Sequence, residues 1–180
     1  MKSLVEKYSF MFGIAGLIVT LDQWTKWLVR TNLGLGDTWL PKSLEWLSPY
    51  ARIVHWYNTG AAFGMFQNGS AIFAVLAVIV ICALIYYFPQ VDKQDWTLRV
   101  AMSMQLAGAS GNLIDRLLRG GQVTDFISVG KFAVFNVADA SISVGTAVLL
   151  LGVYLQERAA QKEKAKLAGD AHQTDEVTIE

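Results

Sequence analysis

Four stretches of the chain are apolar for long enough to cross a lipid bilayer, and polar residues gather at their ends. The clearest is Ser70 to Phe88 (SAIFAVLAVIVICALIYYF), 19 positions without a charge, which as a helix spans the roughly 30 Å hydrocarbon layer at roughly 1.5 Å per residue. An earlier run begins near Ser9 and is apolar from Phe10 to Leu21, after which Asp22, Gln23, Thr25 and Lys26 appear among Trp24 and Trp27. That mixture suits a helix reaching the membrane interface, where indole rings prefer to sit. The run from about Trp96 to Leu117 is uncharged from Val100 to Ile114 and rich in small residues (Ala107, Gly108, Ala109, Ser110, Gly111), which let helices approach closely. The last, Ala140 to about Leu155, follows a polar step at Asn136 and Asp139. The expected fold is therefore an all-α polytopic membrane protein with four transmembrane helices.

A segment of about 40 residues, Thr31 to Gly69, separates the first two runs and is too long for a bare loop. Alternation in Ala51 to Tyr57 predicts a short strand, Tyr57 to Gly60 a turn leading into Ala61, Ala62 and Phe63, and Trp39, Leu40, Leu44, Trp46, Leu47 and Tyr50 interfacial anchoring. A small β platform or cap on the membrane surface is expected there. The organisation is then a membrane domain over residues 1–155, with the cap at about 31–69, and a charged tail, 156–180, expected as a frayed helix end followed by disorder. Lys2 and Lys7 before the first run also resemble a signal peptide, but no small-x-small cleavage site follows, so the run is read as retained.

Composition supports a membrane class: 53% of residues are apolar and 17% charged, and the formal net charge is zero, which leaves no basic footprint for nucleic acid. Cys82, the single cysteine, lies within an apolar run and is expected to be inert. With four spans both termini share one side. The tail basics Arg158, Lys162, Lys164 and Lys166 favour the cytoplasm for it, although eight basic residues inside against seven outside discriminate little. Because alternate helices run in opposite directions, Asp22, Lys26, Asn58, Asn112, Asp115, Arg116, Asn136 and Asp139 fall on one face whichever orientation holds. Asp125, in the connection between the third and fourth helices, joins them. Ionisable groups at membrane depth are costly and mark functional sites.

Serine or cysteine catalysis finds no base, since His55 lies in the cap and His172 in the tail, and the ligand sets of zinc sites are missing. Carboxylates remain. Asp125 and Asp139 are 14 residues apart; two aspartates in a low-dielectric cleft share one proton, so one can activate water while the other protonates the leaving group. The plainer alternatives are that Asp139, with Ser141 following, caps a helix, that Asp125 fixes a turn, and that Asp22 and Lys26, four apart, form a structural ion pair. A transporter with carboxylates along an ion path and an assembly factor whose GASG face packs a partner helix are the rival classes.

Five blocks in order carry a resemblance: LDQWTK (21–26), YNTGAAFG (57–64), GASGNLIDR (108–116), VTDFI (123–127) and FNVADASI (135–142). Together they resemble the lipoprotein signal peptidases, or type II signal peptidases, over the chain up to its tail. The resemblance implies an aspartic endopeptidase that removes the signal peptide from diacylglyceryl-modified prolipoproteins, cleaving before the lipidated cysteine. It places the catalytic pair on Asp125 and Asp139. Asn58, Asn112, Arg116 and Asn136 become substrate-backbone or dyad-orienting groups, and Asp22, Lys26, Asp115 and Gly108 support. It further implies four helices with a small extracytoplasmic sheet and an interfacial helix, in a multi-pass protein of the bacterial inner membrane with cytoplasmic termini and the active site on the extracytoplasmic side. The expected partners are the prolipoprotein and membrane lipids, without cofactor or metal, and a monomer is expected. Ser110 and the short stretch Ser128 to Val134 depart from the family pattern.

Overall fold

A computed structural model describes residues 4–60 and 69–177, with side chains for 5–60 and 69–162. The described chain is mostly helical: α1 (Leu4–Asn32), α2 (Ser70–Tyr87), α3 (Trp96–Leu118) and α4 (Val137–Val177). A three-stranded antiparallel sheet, β1 (Thr38–Trp39), β2 (Ala51–Asn58) and β3 (Val123–Val129) in that spatial order, sits at one end of the bundle. A 3-10 turn, Lys42–Leu47, buries none of its residues and leaves Trp46 and Leu44 exposed, as the expected anchoring requires. Residues Ala61, Ala62 and Phe63, and with them part of the YNTGAAFG block, lie outside the described residues.

α2 shows why the solvent is lipid. None of its side chains is buried, and Ile72 is 67% exposed; an uncharged helix of this kind would lose its hydrophobic stabilisation in water. By length and composition Ser70–Gln90 and Val137–Lys162 suffice to cross a membrane. α1 and α3 carry charged residues along their length, among them Asp22, Lys26, Arg99 and Asp115, all buried within the bundle rather than turned outward. Cys82 is exposed on α2.

α3 is the central helix, packed against α1, α2 and α4. One half of the bundle has an apolar core of Met11, Ala15, Phe88, Met102, Leu106 and Ala107. The other half holds buried polar groups. The small residues of α3 make this possible: a Cβ on Gly108 would stand 2.5 Å from the Ala138 carbonyl oxygen, and one on Gly111 2.7 Å from Asp22 Oδ2. Both faces are thus occupied by the chain's own helices, which removes the feature that suggested an assembly factor. Gly108→Val is expected to destabilise the fold by about 1–3 kcal/mol through overpacking, read as a lower thermal midpoint in detergent; an unchanged midpoint would show that α3 and α4 can part freely.

Two elements differ from the sequence expectation. Asp125 lies within β3, not in a turn: it pairs with Trp56 of β2, while Asn58 pairs with Val123. The sequence pattern marks β2 but neither β1 nor β3, because seven residues, VTDFISV, give a weak periodic signal. α4 also continues helically past Leu155 as far as Val177, in keeping with the high helix propensity of its Ala, Lys, Glu and Gln residues.

Candidate active site

The site is assembled where the C-terminal halves of α1 and α3 meet β3 and the N-terminus of α4. α4 opens with a reciprocal cap: Asp139 N donates to Asn136 Oδ1 at 3.0 Å and Asn136 N donates to Asp139 Oδ2 at 3.2 Å, the pattern that satisfies orphan donors at a helix start. The plain capping role for Asp139 is therefore real but covers only one of its oxygens. Asp139 Oδ1 accepts from Asn112 Nδ2 at 2.7 Å. Ser141 is not a cap, since its hydroxyl donates to the Met104 carbonyl at 2.8 Å across to α3.

Asn136 ties the two acids together. Its Nδ2 donates to Asp125 Oδ1 at 2.6 Å and to Asn112 Oδ1 at 3.1 Å, while its backbone amide and side-chain oxygen engage Asp139, so one buried residue contacts both acids. Asp125 is 2% exposed. Burial pushes its carboxyl up, to about 7, and the neighbouring Asp139 charge adds to the shift; hydrogen bonds from Asn136 and Asn58 oppose it. A carboxylic acid half-protonated near neutral pH beside a second carboxylate is the arrangement that a shared proton needs.

Behind this pair lies a charge network. Lys26 Nζ is 2.8 Å from Asp22 Oδ2 and 3.4 Å from Asp115 Oδ2 and donates to Asn112 Oδ1 at 3.0 Å. The structural ion pair expected of Asp22 and Lys26 is present, and it extends further. Asp22 Oδ1 accepts from the Ala138 amide at 2.9 Å, anchoring α4 to α1. Asp115 Oδ2 accepts from the Thr124 amide at 3.0 Å, anchoring β3 to α3. Since Lys26 Nζ and Asn136 Nδ2 offer only donors, Asn112 must turn its oxygen toward them and its NH₂ toward Asp139. Three residues that the sequence does not single out as site residues take part: Gln23 bridges Asp22 and the Gly111 carbonyl, Arg30 donates to the Thr124 hydroxyl at 3.1 Å, and Thr124 is fully buried. Gln23 and Thr124 lie within the motif blocks LDQWTK and VTDFI, which could have marked them; Arg30 lies outside every block.

A cavity of about 780 Å³ opens on the acids, lined by Asn58, Asn112, Arg116, Asp125 and Asp139 at its polar end. Leu76, Ala77 and Val80 of α2 and Ile142 of α4 line its apolar flank, and Gly108 contributes to the wall. Arg116 Nη2 donates to the Gly60 carbonyl at 3.3 Å, while its buried Nε has no partner among the described residues. No cluster of metal-ligating side chains is present among the described residues. The acids sit at one end of the bundle beside a sheet, a placement that favours chemistry at the interface over an ion path through the membrane. The arrangement can hold an extended peptide against two carboxyl groups, with apolar space to one side.

The family described as Signal peptidase (SPase) II matches residues 14–155 of this chain. The chain belongs to the signal peptidase II family. It is 37% identical over 155 residues to a lipoprotein signal peptidase of Halalkalibacterium halodurans, covering 84% of this chain and 96% of the relative. With that of Shouchella clausii it shares 40% over 146 residues, 81% of this chain and 93% of the relative. A solved structure described as a bacterial membrane enzyme, obtained by the in meso method at 2.3 Å resolution, superimposes with a TM-score of 0.74 at 30% identity, covering 82% of this chain and 88% of the other. A second of the same description, at 1.9 Å, gives 0.70 at 31% identity, over 79% and 91%. Signal peptidase II membership makes the chain a bacterial membrane peptidase, a hydrolase that removes signal peptides from prolipoproteins.

Proposed function

We propose that this signal peptidase II works as an aspartic endopeptidase, with Asp125 and Asp139 as the pair that cleaves a diacylglyceryl-modified prolipoprotein before its lipidated cysteine. The observation that carries this reading is the single Asn136 residue, bonded to Asp125 and reciprocally capped with Asp139. In the resting site Asp125 holds the shared proton and Asp139, accepting two N–H groups, carries the charge. Asp139 takes a proton from water as the oxygen attacks the scissile carbonyl, and Asp125 gives its proton to the developing oxyanion. Collapse of the tetrahedral intermediate returns a proton to the leaving cysteine nitrogen and restores the pair. Asn58 and Arg116, at the polar end of the cavity, bind the extended backbone. Asn112 orients Asp139, and Asp22, Lys26 and Asp115 hold the scaffold.

In this reading all four helices cross the membrane, both termini are cytoplasmic, and the sheet and acids lie on the extracytoplasmic side. The polar site stays at the bilayer surface, where the scissile bond of a lipid-anchored substrate must also sit. Its acyl chains and apolar signal helix enter from lipid along the α2–α4 flank of the cavity. The protein acts as a monomer with no cofactor, and residues 156–180 form a cytoplasmic tail outside the 1–155 protease domain.

Incubation of the purified protein with a diacylglyceryl-modified prolipoprotein and with its unmodified precursor tests the reading by gel shift. Cleavage confined to the modified form, with the amino-terminal cysteine on the product, is expected; equal cleavage of both would remove the lipid requirement. The rate is expected to fall as pH rises through about 7, because Asp125 then loses the proton it must donate. Folding has the same sign. Between the ordinary 3.8 and about 7 the folded chain keeps a proton that the unfolded chain has lost, so this group makes stability decline as pH rises through that window. A rate still at its maximum two units above that value would speak against a proton-sharing pair.

A further inference from the structure

Two large exposed rings flank the strand that carries Asp125, and the reaction described above uses neither. Trp56 stands opposite Asp125 in the pairing of β2 with β3. It shares a sheet face with Asn58, two residues along, whose side chain bonds to Asp125. His55 and Tyr57, whose rings meet edge to face at 4.9 Å, belong to the other side, where His55 Nδ1 lies 2.8 Å from the Leu33 carbonyl. The Trp56 ring is therefore on the dyad side of the sheet, yet 53% exposed. Along the opposite edge of β3, Phe135 bridges to Ile127. Phe132 meets the Phe135 ring edge to face at 5.9 Å, lines the cavity and is 60% exposed. Trp56 and Phe135 stand on opposite neighbours of β3, about 10 Å apart across it, two strand spacings. They are offset by two residues along it, opposite Asp125 and Ile127, which leaves room for a side chain between Trp56 and the Phe132–Phe135 pair.

The direction of the substrate assigns this gap. Lipid and signal helix occupy the apolar flank formed by α2 and α4, so the mature polypeptide must leave over the sheet toward water. One residue beyond the cysteine lies roughly 3.5 Å further along an extended chain, which carries it past Asp125 toward the space between Trp56 and Phe132. We infer that Trp56 and Phe132 form a subsite for the residue directly following the lipidated cysteine, and that this subsite selects an apolar side chain. The inference rests on the proposed cleavage reaction for the path of the peptide, but not on the roles given to the two acids.

Two diacylglyceryl-modified peptides that differ only in Leu or Gly after the cysteine provide the test, with the full chain in nanodiscs of phosphatidylethanolamine and phosphatidylglycerol. Wild type is expected to favour the leucine peptide by about threefold to tenfold in kcat/KM, the size of effect that one or two aromatic contacts supply. Trp56→Ala and Phe132→Ala should each shrink that ratio toward one, chiefly through a higher KM for the leucine peptide, and Trp56→Phe should keep most of it. The same ratio is read as peptide affinity in Asp139→Asn, so that failure of the aspartic mechanism and failure of the subsite give different results. An unchanged ratio in both alanine variants overturns the subsite. So does a loss of equal size on both peptides, which would mark the rings as membrane anchors.

Discussion

Asp125→Asn and Asp139→Asn are each expected to lower turnover of a diacylglyceryl-modified prolipoprotein by about 10⁴-fold or more, while the two variants differ in stability. At Asp125 an amide replaces a carboxyl whose charged form is disfavoured by burial. The Asp125→Asn variant should therefore unfold at about the wild-type temperature near the ordinary carboxyl value of 3.8, and at a higher one once the pH reaches about 7. At Asp139 both oxygens accept N–H groups, from Asn112 and from the Asn136 backbone. An amide can accept only one of these, so the other donor faces an NH₂ and the cost is about 1–3 kcal/mol. Cleavage assays and thermal unfolding in the same detergent separate the effects. Wild-type turnover by either variant would end the assignment of the pair. Loss of turnover with collapse of the fold in both would leave these acids a structural role instead.

The second large effect belongs to Lys26, which is completely buried and meets two equally buried aspartates. Lys26→Met removes the only cation that contacts Asp22 among the described ion pairs. It also removes one of the two donors that hold the Asn112 oxygen inward, leaving Asn136 Nδ2 as the other. Stranding a buried charge costs about 3–5 kcal/mol, so the variant should unfold far more readily in a denaturant titration. Asp115 keeps more distant contacts with Arg30 at 3.8 Å and Arg119 at 3.7 Å, which makes Asp22 the group left most exposed to the loss. Asp22→Asn in the same chain should recover part of the stability. That recovery is a coupling that independent sites would not show. Activity should stay below wild type in the double variant, since Asn112 still lacks the Lys26 donor that helps to fix it against Asp139. A Lys26→Met protein as stable as wild type would mean that the network contributes little to the fold.

Much of the site is legible without coordinates, because membrane helices announce themselves by composition and the cost of a charge in lipid confines ionisable residues to a few purposes. Asp22, Asn112, Asp115, Asn136 and Asp139 sit at helix ends that alternate in direction, and simple parity puts them on one face; the structure brings them into hydrogen-bonded contact. Asp125 falls in the same group by parity but on a different kind of element from the one the pattern suggests. A seven-residue strand between two helices has too few alternations to stand out, and its partner strand lies about 70 positions earlier in the chain, beyond the reach of any local pattern. Arg30 shows the same limit. As a sequence position it is one basic residue in a topological count, whereas its bond to Thr124 exists only because β3 folds back against α1.

Residue order alone establishes that lipid surrounds much of this protein, that its polar groups collect at one end, and which family's motifs it carries, since hydropathy, helix direction and residue identity are properties of the chain read in order. Three things come only from the packed molecule: Asn136 joins the two acids, Lys26 and Asn136 together set which way Asn112 points, and burial raises the Asp125 carboxyl to about 7. Each of these depends on the orientation of hydrogen-bonding groups and on burial from several elements at once, and no spacing along the chain encodes that.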